Sequence, residues 1–205
     1  MTLEQALRQC PLVAILRGVE PGEIVAIGEA LHAAGIRAME IPLNSPRPLD
    51  SIARAAGLLA GRMAVGAGTV LTHQEVDAVS AAGGVFTVSP NVDPVVIARA
   101  VQLGLTPLPG FATATEAFAA IAAGARILKL FPAASYGPGH LKALSAVLPS
   151  DVRIFPVGGV GPAQMPDWWA AGAAGFGLGS ELYRSGQTAN ETHEKAKFCV
   201  AAVAT

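Results

Sequence analysis

Lys129 stands inside Arg126-Ile-Leu-Lys-Leu-Phe131, a run that otherwise reads as a buried strand. Strand alternation puts Ile127, Lys129 and Phe131 on one face and Leu128 and Leu130 on the other, so both faces are apolar. An ammonium in that setting is costly unless it is paired or gives up its proton. A lysine that loses its proton readily is a nucleophile toward ketones. The chain has four lysines, and Lys142, Lys195 and Lys197 lie in polar-flanked, helical-looking segments, so only Lys129 needs explaining. The plainer readings of Lys129 are a structural ion pair or a snorkelling strand end.

Other polar residues fall at the ends of apolar runs. Arg17 closes the run 12–17, Glu40 is near the end of 37–41, Thr69 follows 63–67 within Gly66-Ala-Gly-Thr69, and Asn91 follows 85–89. Alternation places Arg17 on the face of Val13 and Ile15, and Glu40 on the face of Ala38. If these faces point inward, a cation, a carboxylate and an amine converge on one mouth. Taken singly, Arg17 reads equally well as the partner of a loop carboxylate, and Glu40 as a helix cap or the partner of Arg17. Two glycine clusters, Val157-Gly158-Gly159-Val160 and Gly175-Phe-Gly-Leu-Gly-Ser180, add a second theme. Glycine lets backbone N–H groups approach an anion closely and Ser180 can donate its hydroxyl, which suits a phosphate; tight turns alone would also account for the glycines. His32, His73, His140 and His193 are dispersed, with no HxH or HExxH spacing, so no metal site is expected.

The elements that must position these residues repeat along the chain. Strand-like runs at 12–17, 37–41, 63–67, 85–89, 105–109, 126–131, 153–157 and 174–178 alternate with Ala-rich helical stretches at 21–34, 74–82, 94–103, 115–123, 138–148 and 162–171. Proline opens several helices, and a glycine stops several just before the next strand, as at Gly35, Gly83, Gly104, Gly124 and Gly172. Eight strand-helix units predict an α/β fold, a (β/α)8 TIM barrel forming a single compact domain over residues 1–205. A doubly wound open sheet is the alternative, weakened because the first strand-helix turn lacks a GxGxxG fingerprint. In a barrel of that kind chemistry sits at the C-terminal strand ends, and the loops after the last two strands often hold phosphate.

Bulk properties narrow the function classes. Hydrophobic residues make up 52% of the chain and charged ones 14%, which fits strands buried on both faces and a subunit contact. The formal net charge of -1 gives no electrostatic case for nucleic acid or an anionic membrane. Gly, Pro and charges interrupt every apolar stretch before the ~18 residues of a membrane helix. Cys10 and Cys199 have no paired spacing. The first residues lack a basic region followed by an apolar core, so a cytoplasmic location is expected. Trp168-Trp169 lies on a helical stretch, where packing or an oligomer contact is the expected role.

Ile15-Leu-Arg-Gly18, Glu40-Ile-Pro-Leu-Asn44, Gly66-Ala-Gly-Thr-Val70, Ser89-Pro90-Asn91, Pro109-Gly110, Leu128-Lys-Leu-Phe-Pro132 and Val157-Gly158-Gly159 follow one another in an order that resembles the bacterial 2-keto-3-deoxy-6-phosphogluconate/phosphogalactonate aldolases. The resemblance spans residues 11 to 185, and its motifs are specific as a set. It implies a class I aldolase, commonly a homotrimer, that needs no cofactor and takes a small phosphorylated keto-deoxy sugar acid. By position, Lys129 matches the Schiff-base lysine and Glu40 the general acid/base. Arg17 and Thr69 match residues that bind the pyruvoyl end, Pro90 joins them in the substrate site, and Phe131 packs beside the lysine. Gly158, Gly159, Gly179 and Ser180 match the phosphate site. Asn44 and Val157 replace an arginine and a threonine usual in gluconate-type members, which implies 2-dehydro-3-deoxy-6-phosphogalactonate as substrate. Losing the threonine hydroxyl at Val157 removes a hydrogen bond to one C4 epimer. Pro156 follows the gluconate pattern instead, leaving a gluconate-cleaving or dual-specificity aldolase open. A phosphosugar isomerase or epimerase is the competitor from another class, since it needs proton transfer but no iminium lysine.

Overall fold

The structure, a computed structural model, describes residues 1–203. The strands are β1 (Leu12–Ile15), β2 (Ala38–Pro42), β3 (Ala64–Gly68), β4 (Phe86–Val88), β5 (Thr106–Leu108), β6 (Gly110–Phe111), β7 (Ile127–Leu130), β8 (Arg153–Pro156) and β9 (Phe176–Leu178). Helices precede, separate and follow them: α1 (Leu3–Gln9), α2 (Ile24–Ala33), α3 (Pro48–Leu58), α4 (His73–Ala81), α5 (Pro94–Gln102), α6 (Ala114–Ala122), α7 (Ala133–Tyr136), α8 (Pro138–Ser145), α9 (Met165–Ala170) and α10 (Ala189–Val203).

Strand pairing corrects the expected closed eight-stranded barrel. The strands form two parallel sheets, a six-stranded one in the order β5-β4-β3-β2-β1-β9 and a three-stranded one in the order β6-β7-β8. The larger sheet is a curled half-barrel. Its break from the smaller one falls at Pro109, inside what reads in the sequence as one strand over 105–109. Proline has no N–H to give to a ladder. β5 therefore stops at Leu108, paired with Val88 of β4, and the chain resumes as β6, where Gly110 pairs with Lys129 of β7. At the other seam β8 ends on Pro156, and an isolated bridge between Val157 and Gly177 stands in place of a continuous ladder.

The alternation of side chains sorts two cores. One set, including Leu12, Ala14, Leu16, Met39, Ile41, Val65, Leu128 and Leu130, packs outward against the helices. The other, including Val13, Ala38, Ala64, Phe86, Val88, Leu108, Ile127 and Phe155, fills the space between the two sheets. α1 closes the bottom of this inner core with Leu3, Ala6 and Leu7. A capping box starts this helix: the Thr2 hydroxyl accepts from the Gln5 N–H at 3.2 Å and the Gln5 amide oxygen accepts from the Thr2 N–H at 2.9 Å. The same device, Thr72 with Glu75 and Thr113 with Glu116, starts α4 and α6. With α1 packed over the N-terminal strand ends, the polar residues of the inner face collect toward the C-terminal ends.

Candidate active site

Lys129 lies on β7 between Gly110 of β6 and Phe155 of β8, and its N–H donates to the Pro109 carbonyl at 2.9 Å. Its side chain follows Ile127 onto the inner face and is 8% exposed. Glu40, on β2 beside Ile15 of β1 and Gly66 of β3, follows Ala38 onto the same face and is 2% exposed. Gly68 makes this placement possible. A Cβ at that position would overlap the Glu40 carboxyl group, so no larger residue fits while Glu40 stays where it is.

Burial drives the two groups toward each other in acidity. Loss of solvation raises the Glu40 carboxyl to about 7, against the opposing fields of Lys129 and Arg17. Loss of solvation lowers the Lys129 ammonium, Glu40 pulls it back up, and Arg17 adds to the lowering. Neither residue enters any ion pair found among the described residues. Glu40 Oε2 is buried without a hydrogen-bond partner. The Lys129 Nζ sits over the Phe131 ring, 4.4 Å from its centroid.

These groups line a cavity of about 290 Å³. Its depth is formed by Ile15, Glu40, Lys129 and Val157, which also bound a small void lined further by Val13, Val88, Leu108 and Phe155. Arg17, Thr69, Pro90 and Phe131 line it as well, as do Gly158, Gly159, Gly179 and Ser180. Thr69 holds a left-handed backbone, φ +57°, rare for a residue with a branched side chain. Of the candidate residues read from the sequence, Asn44 lies outside this lining. It is exposed, and its Oδ1 accepts a 2.7 Å hydrogen bond from Arg17 Nη1. Asn91 also stays outside, its carbonyl accepting from the Ser89 hydroxyl at 2.8 Å.

Two lining residues escaped the sequence reading. Ile15 entered that reading as a strand residue on the face of Arg17 and as the start of a motif, without a place in the site. Glu181 brings a second carboxylate to the glycine-rich end of the cavity; the available signal was its place directly after Ser180. Among the described residues no group of three or more His, Cys, Asp or Glu side chains could hold a metal ion, and no helix is long and apolar enough to cross a membrane. The chemistry on offer is that of one amine with a depressed pKa, one carboxyl group near neutrality, an arginine beside them, and a rim of exposed backbone.

Comparisons with known proteins bear on that chemistry. A family model described as "Aldolase: KDPG and KHG aldolase" matches residues 3–199. Over 192 residues the chain is 50% identical to the 2-dehydro-3-deoxy-6-phosphogalactonate aldolase of Escherichia coli (strain K12), covering 94% of both chains. It is 46% identical over 192 residues to a protein of Rhizobium meliloti (strain 1021) named "Probable 2-dehydro-3-deoxy-6-phosphogalactonate aldolase", covering 94% of this chain and 91% of that one. A solved structure described as "Native KDPGal structure" superposes with a TM-score of 0.93 at 49% identity, covering 95% of this chain and 94% of the other.

Proposed function

This chain belongs to the KDPG and KHG aldolase family, and on that footing we propose that it is a class I aldolase cleaving 2-dehydro-3-deoxy-6-phosphogalactonate to pyruvate and D-glyceraldehyde 3-phosphate. The observation that carries the mechanism is the buried Lys129 amine sharing one cavity with Glu40. Arg17 and Thr69 hold the carboxylate end of the substrate, with the C2 ketone beside Nζ. Neutral Lys129 adds to C2, the carbinolamine loses water, and an iminium forms. A base then takes the C4 hydroxyl proton, the C3–C4 bond breaks, and its electrons flow into the iminium to give an enamine while the aldehyde leaves. Protonation at C3 and hydrolysis release pyruvate and restore the amine.

Glu40 moves these protons. A carboxyl group with a pKa of about 7 is present in both forms near neutrality, so it can accept from the C4 hydroxyl and donate to C3 in turn. The Phe131 ring face is a favourable neighbour for the cationic iminium that replaces the neutral amine. The phosphate lies against Gly158, Gly159, Gly179 and Ser180. Val157, at the depth of the cavity, offers methyl groups where a hydroxyl would favour the other C4 epimer. Both relatives described above carry the galactonate name, which supports this choice of epimer.

A homotrimer in the cytoplasm is part of the same reading. Exposed apolar side chains on α5 and α6, Val95, Val101 and Phe118, supply surface for subunit contact, and light scattering behind a sizing column reads the assembly. The activity test is pyruvate release from the two C4-epimeric 2-keto-3-deoxy-6-phospho acids side by side, with EDTA present. A strong galactonate preference is expected. Equal rates would leave the lysine mechanism and remove the epimer assignment, and no release from either would remove both.

A further inference from the structure

The Arg17-Gly18 segment is held at three points by residues outside the catalytic set, one on the Arg17 side chain and two on the Gly18 backbone. Its Nη1 donates to Asn44 Oδ1 at 2.7 Å. The N–H of the next residue, Gly18, donates to Ser45 Oγ at 2.9 Å. The Gly18 carbonyl accepts from Ser185 Oγ at 3.0 Å, across 167 residues of sequence. Gly18 has φ +79°, and a Cβ there would stand 3.1 Å from the Ser185 Cβ, so the segment after β9 rests directly on this backbone. Ser45 is buried at 8% exposure, whereas Ser185 is exposed. The grip thus comes from two sides. One is the loop after β2, the strand that carries Glu40, and the other is the loop that begins at Gly179 and Ser180.

We propose that Asn44, Ser45 and Ser185 form a clamp that fixes Arg17 for the substrate carboxylate. The proposal rests on the aldolase reading for the role of Arg17. Arginine loses much side-chain freedom when it binds an anion, and a partner that fixes it beforehand removes part of that loss from the binding step. Asn44 then influences substrate recognition without touching the substrate, as a positioning residue acting through Arg17. Ser45 and Ser185 set where the Arg17 backbone lies between the proton-transfer residue and the phosphate rim. The hydrogen bonds of both hydroxyls go to the Gly18 backbone, so their effect must appear in binding of the carboxylate end and not in the chemical steps.

Pyruvate alone reads that end. The full-length protein is titrated with pyruvate in the presence of borohydride, which reduces the Lys129 iminium, and half-saturation is separated from the limiting rate of inactivation. Asn44→Ala, Ser45→Ala and Ser185→Ala are each expected to raise half-saturation roughly three- to tenfold, leaving the limiting rate and its pH profile as in the unaltered protein. Ser45→Thr, which keeps the hydroxyl, should restore the original value. In an Arg17→Met background, Asn44→Ala and Ser45→Ala should add nothing further. Unchanged half-saturation in the single variants overturns the clamp, as does an equal increment with and without Arg17. A shift in urea midpoint with no change in the pyruvate response assigns these residues to stability alone and overturns it too. If the unaltered protein is not inactivated by pyruvate and borohydride, the aldolase reading fails first, and the role of the clamp falls with it.

Discussion

Glu40→Gln should make the folded protein more stable at pH 8 while stopping its chemistry. The Glu40 carboxyl goes from an ordinary 4.5 in the open chain to about 7 when folded. The folded state therefore holds a proton that the unfolded state releases between those two values, and stability falls as pH rises through that window. A displacement of that size corresponds to about 3 kcal/mol at 1.36 kcal/mol per pH unit. Glutamine keeps the shape and cannot ionise, so it escapes this loss. It also removes the field that supports the Lys129 ammonium, which burial already disfavours, and that offsets part of the gain. The expected net stabilisation at pH 8 is about 1–3 kcal/mol, shrinking toward zero below pH 4.5. Urea unfolding of both proteins at equal protomer concentration, in steps from pH 4.5 to 8, measures the difference directly. A stability difference that stays flat over that range would refute the claim that burial holds Glu40 partly protonated, and with it the dual acid/base role.

Four further perturbations separate the parts of the site. Lys129→Arg should abolish both turnover and borohydride trapping by pyruvate, because a guanidinium forms no iminium at neutral pH; peptide mapping of the trapped protein checks that Lys129 is the modified residue. Gly68→Ala places a methyl group where the Glu40 carboxyl lies, so turnover should drop about a hundredfold or more, with trapping by pyruvate less affected. Val157→Thr should move the ratio of kcat/KM values for the two epimers toward the gluconate form by about ten- to a hundredfold; an unchanged ratio would detach this position from specificity. Leu3→Ala opens a cavity in the inner core that α1 seals, with an expected loss of about 2–5 kcal/mol in denaturant titration and no change in epimer ratio.

The sequence placed elements better than it placed connections. Every strand-like run overlaps a strand of the structure, because buried parallel strands are short, apolar and bounded by glycine or proline. Period-two alternation grouped Arg17 with Val13 and Ile15, Glu40 with Ala38, and Lys129 with Ile127, but did not say which face points inward; in the structure Arg17, Glu40 and Lys129 line one cavity. Closure did not follow. Whether strands five and six join one ladder depends on which backbone donors exist, and Pro109 removes one at the point where the run 105–109 divides. α3 was missed among Pro46, Arg47 and Pro48, where a left-handed Arg47, φ +39°, leads into the helix. The grip of Asn44, Ser45 and Ser185 on the Arg17 segment was also out of reach, since serine hydroxyls in loops carry no periodic signal. Asn44 was identified for its difference from related enzymes, and only the hydrogen bond to Arg17 shows how an exposed residue can matter to the site.

The spacing between Lys129 and Glu40 explains why burial is useful here and not merely expensive. A direct ion pair would hold the amine protonated and unreactive, since a close carboxylate favours the charged form. Full separation would leave no group to move protons. The structure lies between these limits. The absent side chain at Gly68 gives Glu40 its own recess, neither group is found in an ion pair, and the amine faces the Phe131 ring. Desolvation is then the largest influence on both, lowering one pKa and raising the other. Burial thus shifts both groups toward the neutral amine with a protonated acid and away from the charged pair. The nearby Arg17 charge opposes ammonium formation at Lys129 and so adds to the effect of burial.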